Sequence, residues 1–294
     1  MSTDDLTQNV LVIAFDGLDY ELIQEFDLKH VLQQEHGSID NDTGVSTRKT
    51  GELFTSFITG ETYAVHSVTG VDAWRGEPKP LRQFEELVED SKLFGKFRGM
   101  RKAIYESINS WSLRLDWPIR DDILVPTLFD QIDNSRALFV PGYNTSTFFR
   151  CSADTRPLLV GLGLEETINH YDTREHRHRR EKLFRPVNTY YDFCMVHFHR
   201  PDLHQHLYGE KDAHYDHDRL RELYEETDEL AKKILDYFED GFDTIIFMSD
   251  HGLPENHQHN KRAFYSCNQE LFGWRQPHIT DFHDKILELV QEAD

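Results

Sequence analysis

Carboxylates and imidazoles stand where apolar runs end in this sequence, a pattern suited to holding hard metal ions. The run Thr244-Ile245-Ile246-Phe247-Met248 leads through Ser249 into Asp250-His251-Gly252. Such a run fits a strand buried on both faces of a parallel sheet. A carboxylate beside an imidazole at its exit lies where open α/β sheets place their ligands. Adjacent strand residues point to opposite faces, so Gly252 is expected to turn the backbone until both groups reach one ion. A first run, Asn9 to Phe15, stops in the same way at Asp16-Gly17. After a third, Tyr191 to Phe198, comes Pro201-Asp202-Leu203-His204-Gln205-His206. There the i, i+4 spacing stacks Asp202 and His206 on one face of a helical turn, and His204 points away and reads as surface. Asn256-His257-Gln258-His259 adds a late histidine, either His257 or His259. Oxygen and nitrogen donors without thiolate suit Zn2+ or Mn2+, and these groups suffice for two divalent ions. Singly, each has a plainer reading: Asp-His-Gly is also how a strand ends in a polar turn with the Asp capping a helix.

A hydroxyl nucleophile completes the set. Thr50, in Thr47-Arg48-Lys49-Thr50-Gly51, precedes a segment with helical apolar spacing that stops at Gly60. A threonine hydroxyl attacks poorly unless a base or metal lowers its pKa. At a helix start, backbone N–H groups and the positive helix end also help to hold a phosphoryl oxygen. Alone, Thr50 reads equally as a helix cap.

The elements that must position these groups alternate between strand and helix. Helices are expected over 20–34, 51–59, 125–132, 165–182, 215–238 and 281–292, and a further strand over 137–142. The 165–182 segment carries His176, Arg177, His178, Arg179 and Arg180 and reads as a solvated helix with i, i+4 charge pairing. The alternation predicts an α/β fold with a mostly parallel central sheet and helices on both faces. No linker or repeat divides the chain. A single catalytic domain over 1–294 is expected, with a helical insertion near 73–120 that includes a basic cluster from Lys96 to Lys102.

Composition bounds the partners. The 294 residues are 38% hydrophobic and carry a formal net charge of -21, with a mean hydropathy of -0.64. Duplex nucleic acid is not expected as a main partner, because phosphate backbones require a basic footprint. Anionic membrane surfaces are disfavoured by the same repulsion, and no apolar run is long enough to span a bilayer. The acidic, arginine-rich balance resembles that of proteins from salt-loving cells. Cys151, Cys194 and Cys267 are dispersed and odd in number, which implies buried thiols and a cytoplasmic location.

In these motifs the sequence resembles the alkaline phosphatase superfamily, specifically its type I phosphodiesterase/nucleotide pyrophosphatase branch in a short prokaryotic form. The matching residues are Asp16, Lys49-Thr50, Thr59-Gly60, Pro201-Asp202 with His206, and Ser249-Asp250-His251-Gly252, in that order; His66 falls where the family often has His-Gly. The resemblance implies one ion held by Asp16, Thr50, Asp250 and His251. A second would be held by Asp202, His206 and a late histidine, His259 in preference to His257. It further implies zinc, with manganese as the alternative, and hydrolysis of a small phosphoester through a phospho-threonine at Thr50. The phosphate-binding Asn of many relatives is not evident near Val71-Asp72. A phosphomonoesterase or a phosphonate hydrolase would use the same site. A metal-binding relative without turnover is the alternative outside enzymes, and the intact Thr50 argues against it.

Overall fold

The computed structural model describes residues 7–68, 73–75, 114–116, 118–144, 164–208, 216–255, 258–273 and 275–291. Strand β1 (Val10–Phe15) lies at the middle of a six-stranded sheet. It pairs in parallel with β6 (Phe193–Phe198) and with β7 (Thr244–Met248), registering Val10 opposite both Phe193 and Thr244. All three strands are fully buried, as near-continuous apolar runs require. Strand β5 (Ser135–Leu138) adds in parallel to β6.

On the other side the sheet turns antiparallel. Strand β10 (Phe264–Cys267) runs against β7, and β2 (Glu35–Ser38) runs against β10. The expected mostly parallel sheet is therefore a mixed one. A parallel return needs a crossover, usually a helix. Residues 249–263 instead hold a small ribbon of β8 (Pro254–Glu255) and β9 (Gln258–His259) and lead straight back.

Helix α1 (Tyr20–Glu25) also ends well before residue 34: turns and bends fill the rest of the expected span, and the edge strand β2 begins only at Glu35. The Asp228 carboxylate accepts the backbone N–H groups of Lys29, His30 and Val31 at 2.7–3.3 Å, donors that a longer helix would have used.

The period of two along β1 sorts its side chains between two cores. Val10, Val12 and Ala14 pack with Leu53, Phe54 and Phe57 of α2 (Thr50–Thr59) and with Phe282 and Ile286 of α8 (Asp281–Val290). Leu11, Ile13 and Phe15 pack with Leu22 and Ile23 of α1 and with Leu220, Leu230 and Ile234 of α7 (His217–Phe238). Shorter helices are α3 (Tyr63–His66), α4 (Leu128–Gln131) and α6 (Asp202–Tyr208).

Helix α5 (Leu164–Leu183) departs from its reading as a solvated element. Asp172, Glu175, Arg179 and Leu183 are all buried. Their i, i+3, i+7, i+11 spacing forms one stripe that packs inward although it is polar.

The chain divides into two compact units, 1–70 with 118–294, and 71–117. Of the second, the described part is an antiparallel pair, β3 (Ala73–Arg75) and β4 (Arg114–Asp116). The expected helices and basic cluster of this insertion lie outside the described residues. Among the described residues no helix is long and apolar enough to cross a membrane.

Candidate metal centre

The strand parity that builds the core also aims the polar groups. Asp16 continues the even-numbered side of β1, which faces α2, and Thr50 is the first residue of α2. Asp250 continues the side of β7 that carries Ile246 and Met248, in the same core. The Thr50 hydroxyl lies 3.2 Å from Asp16 Oδ1 and 3.4 Å from His251 Nε2. Lys49 is the N-cap of α2, so the hydroxyl of Thr50 is turned to the cluster and caps no helix. Asp202 opens α6 and is brought in by its backbone N–H, which donates to the Asp16 carbonyl at 3.0 Å.

Gly17 makes that approach possible. Its φ is 70°, and a Cβ there would fall 2.9 Å from Asp202 Cβ. Gly252 acts through space and not through a left-handed turn, since a Cβ there would fall 2.5 Å from Asp19 Oδ2. That fully buried carboxylate ties the ligand-bearing loop to the end of β1. It accepts from Leu253 N, Asn260 Nδ2 and Arg262 Nε at 2.7–2.9 Å.

Among the described residues three overlapping donor groups result: Asp16 with Asp250 and His251; Asp202 with His251 and His259; Asp16 with His199 and Asp202. In each, the ligand atoms lie within 4.8 Å of one another. The donor set fits a hard or borderline divalent cation. Asp16 Oδ2 and Asp250 Oδ2 are buried without a hydrogen bond of good geometry, a costly state for carboxylates unless a cation meets them.

The histidines carry the same message. His251 Nδ1 lies 2.9 Å from the Gly252 carbonyl and His259 Nδ1 2.7 Å from the Arg48 carbonyl. A carbonyl only accepts, so each Nδ1 donates, and in the neutral ring Nε2 keeps its lone pair. Those Nε2 atoms face Asp16 and Asp250 at 3.2 and 3.5 Å, and Asp202 at 3.8 Å. A carbonyl holding the far nitrogen is the usual support of a metal-bound imidazole.

Without an ion the cluster must take up protons. Burial, joined by the Asp16 and Asp202 carboxylates, pushes Asp250 up to about 8. Against the pull of burial, Asp250, Asp16 and Asp202 push His251 up to about 10. Burial would also raise Asp16, but the His197 and His251 imidazoles beside it hold it well below the usual carboxylate range.

Of the residues singled out from sequence, Asp16, Thr50, Asp202, Asp250, His251 and His259 thus come together. His206 lies on α6 four residues after Asp202, and its side chain is outside the described residues, as is His257. His204 is no surface residue: it is 8% exposed, and its Nε2 lies 2.8 Å from Asp172 Oδ2. His66 is buried against the Ser56 hydroxyl at 3.0 Å.

Two residues were missed. His197 Nε2 and His199 Nε2 lie 3.3 and 3.4 Å from Asp16 Oδ2. Their i, i+2 spacing at the exit of β6 was the available signal, because it puts both on one face of the strand.

A buried carboxylate–imidazole cluster with a hydroxyl at a helix start, set on a mixed α/β sheet, is the arrangement of the alkaline phosphatase superfamily. Within it, the chain belongs to the family of type I phosphodiesterases and nucleotide pyrophosphatases, whose model matches residues 10–272. That family comprises hydrolases that typically bind metal ions. No curated protein matches the chain. Among solved structures it is similar to murine ectonucleotide pyrophosphatase/phosphodiesterase 5, in an inactive form in complex with AMP, at 14% identity and a TM-score of 0.46. This likeness covers 83% of this chain and 57% of the murine one, so the chain spans a little over half the length of that relative. It is also similar in fold to the PH0037 protein of Pyrococcus horikoshii, at 11% identity and a TM-score of 0.53, over 98% of this chain and 99% of that one.

Proposed function

We propose that this chain hydrolyses phosphodiesters or pyrophosphates, with Thr50 as nucleophile and two divalent ions, zinc or manganese, held by Asp16, Thr50, Asp250 and His251 and by Asp202, His206 and His259. The observation that carries the reading is the Thr50 hydroxyl itself. It is the first residue of α2 and meets Asp16 at 3.2 Å and His251 at 3.4 Å. A divalent ion bound there supplies charge neutralisation and a lowered pKa for an oxygen nucleophile. Asp16 fixes the hydroxyl by accepting its proton in a hydrogen bond, and the N-terminus of α2 favours negative charge on a phosphoryl oxygen beside it. Attack by Thr50 Oγ1 on phosphorus, with departure of the alcohol or phosphate, leaves a phospho-threonine that water then hydrolyses. The reading assigns this chemistry to a single catalytic domain with 73–120 as an insertion, in the cytoplasm, where Cys194 and Cys267 stay as buried thiols.

The arginines support a diester preference. A monoester dianion carries an extra charge that calls for a further cation. Arg48 is committed to the His259 carbonyl and Asp42, Arg200 to Asp172 and Glu226, and Arg262 to Asp19, Glu21 and Glu255. The test is kcat/KM for a nitrophenyl diester against the matching monoester, with the same metal and salt. A diester preference is expected. A monoester preference of more than about tenfold, roughly 1.4 kcal/mol in the transition state, would sink the assignment.

A further inference from the structure

We propose that Arg179 sets the tautomer of His197 and thereby makes His197 a hydrogen-bonding support for the Asp16 carboxylate and not a metal ligand. The proposal rests on the metal-centre reading for its consequence, but the tautomer itself is independent of it. Arg179 is 1% exposed. Its Nη1 lies 2.8 Å from His197 Nδ1 and 2.5 Å from the His197 carbonyl oxygen. Its Nε and Nη2 bind Glu175 Oε1 at 3.1 and 2.5 Å, one turn earlier on α5. The guanidinium plane is also 4.9 Å from the ring centre of Phe139.

A guanidinium offers five N–H donors, has no acceptor and does not lose its proton in proteins. His197 Nδ1 can meet it only with a lone pair. The proton of the neutral ring is therefore on Nε2, and that atom faces Asp16 Oδ2 at 3.3 Å, an approach that completes no hydrogen bond of good geometry in this structure and needs only a small ring rotation to do so. Phe54 closes the other side of the ring, edge to face at 4.9 Å. His197 thus presents an N–H where His251 and His259, with Nδ1 on carbonyls, present lone pairs. The same residue type serves opposite purposes in one cluster, and the second partner of each ring decides which. Arg179 accordingly acts through His197 on Asp16, the carboxylate shared by two of the three donor groups.

The test is NMR of the full chain with ring-15N histidine, with and without Zn2+, His197 being identified by the signal lost in His197→Gln. The Nε2–H tautomer is expected, with neither ring nitrogen becoming a ligand when zinc is added. An Nδ1–H ring, or an Nε2 that takes zinc, would overturn the proposal. Zinc affinity, measured by competition with a chromophoric chelator, gives a second arm. His197→Leu is expected to weaken binding roughly 10- to 100-fold, the usual loss when a ligand's support is removed. His197→Gln, whose amide N–H can replace Nε2–H, is expected to recover most of it, and equal losses in the two variants would refute the supporting role. Arg179→Met combined with Glu175→Met avoids a lone buried carboxylate and should release the ring into a mixture of tautomers. A folded double variant that kept Nε2–H alone would show that Arg179 sets nothing. Because the tautomer is read without metal or substrate, a failure of the hydrolase reading leaves this result standing. A diesterase with Nδ1–H at His197 sinks this proposal alone.

Discussion

Replacing Gly17 by alanine puts one methyl group against Asp202 in the candidate centre. Two costs are separable. The backbone there has φ 70°, where a Cβ costs roughly 1–2 kcal/mol. The new Cβ also meets Asp202 Cβ at 2.9 Å, its Oδ1 at 3.1 Å and its Cα at 3.2 Å, so the start of α6 must retreat. Overpacking of this kind costs about 1–3 kcal/mol. Retreat is opposed by the Asp202 N–H bond to the Asp16 carbonyl, 3.0 Å, and by Gln205 Nε2 on the Gly17 carbonyl, 2.9 Å. Gly273→Ala is the control: φ is 64°, but the nearest atom is a flexible Glu270 Oε1 at 3.5 Å, so conformational strain is nearly the whole cost. At roughly 2 °C per kcal/mol for a chain of this size, Gly17→Ala should lower Tm by about 4–10 °C and Gly273→Ala by about 2–4 °C. Displacing a ligand by an ångström can also cost on the order of 100-fold in turnover, so diester hydrolysis should collapse in the first variant and survive in the second. Thermal melts, zinc affinity and kcat on a nitrophenyl diester read these outcomes. Equal melting temperatures and equal turnover in the two variants would show that Gly17 does not hold Asp202 in place.

Three further outcomes are expected. Thr50→Ala removes one buried hydroxyl and should cost about 1 kcal/mol in stability while almost abolishing turnover; near-normal turnover in a well-folded variant would mean that water attacks directly. Asp172 is held down to about 2: burial alone would raise it, but His204 and Arg200 outweigh that. A depressed folded pKa stabilises above the unfolded value, so this contribution, roughly 2 kcal/mol, is present above about pH 4 and lost as pH falls toward 2. Acid melts of Asp172→Asn should lack that part of the pH dependence. Finally, a surface with net charge -21 adapted to salt should gain Tm with KCl well past the range where the Debye length has fallen to about 3 Å; a flat or falling Tm would remove that reading.

The candidate centre was more legible than the sheet around it, for a physical reason. Asp16, Asp202 and Asp250 stand at the exits of apolar runs, and such exits converge in any open α/β sheet, whatever the direction of its edge strands. The direction of β10 depended on what fills 249–263, a loop whose ribbon leaves no periodic signal. The polar stripe of α5 was misread because Asp172 and Arg179 find partners far along the chain, His204 and Arg200 for the first and His197 for the second, while Glu175 keeps the expected i, i+4 pair with Arg179. Charge pairing along one helix does not distinguish a solvated face from one that meets buried partners. His197 and His199 were within reach, since the parity that placed Met195 in the core also places them beside Asp16.

The central position of β1 has a consequence for synthesis. Strand β1 leaves the ribosome before β6 and β7, which flank it, so Val10 must wait for its partners Phe193 and Thr244. Roughly 230 residues separate Val10 from Thr244, which at about 5–20 residues per second is a delay of about 12–50 s. Until β6 is made a six-residue apolar strand has two unpaired edges, and one of them stays open until β7 follows. Truncation before β7 therefore leaves β1 unpaired along one whole edge.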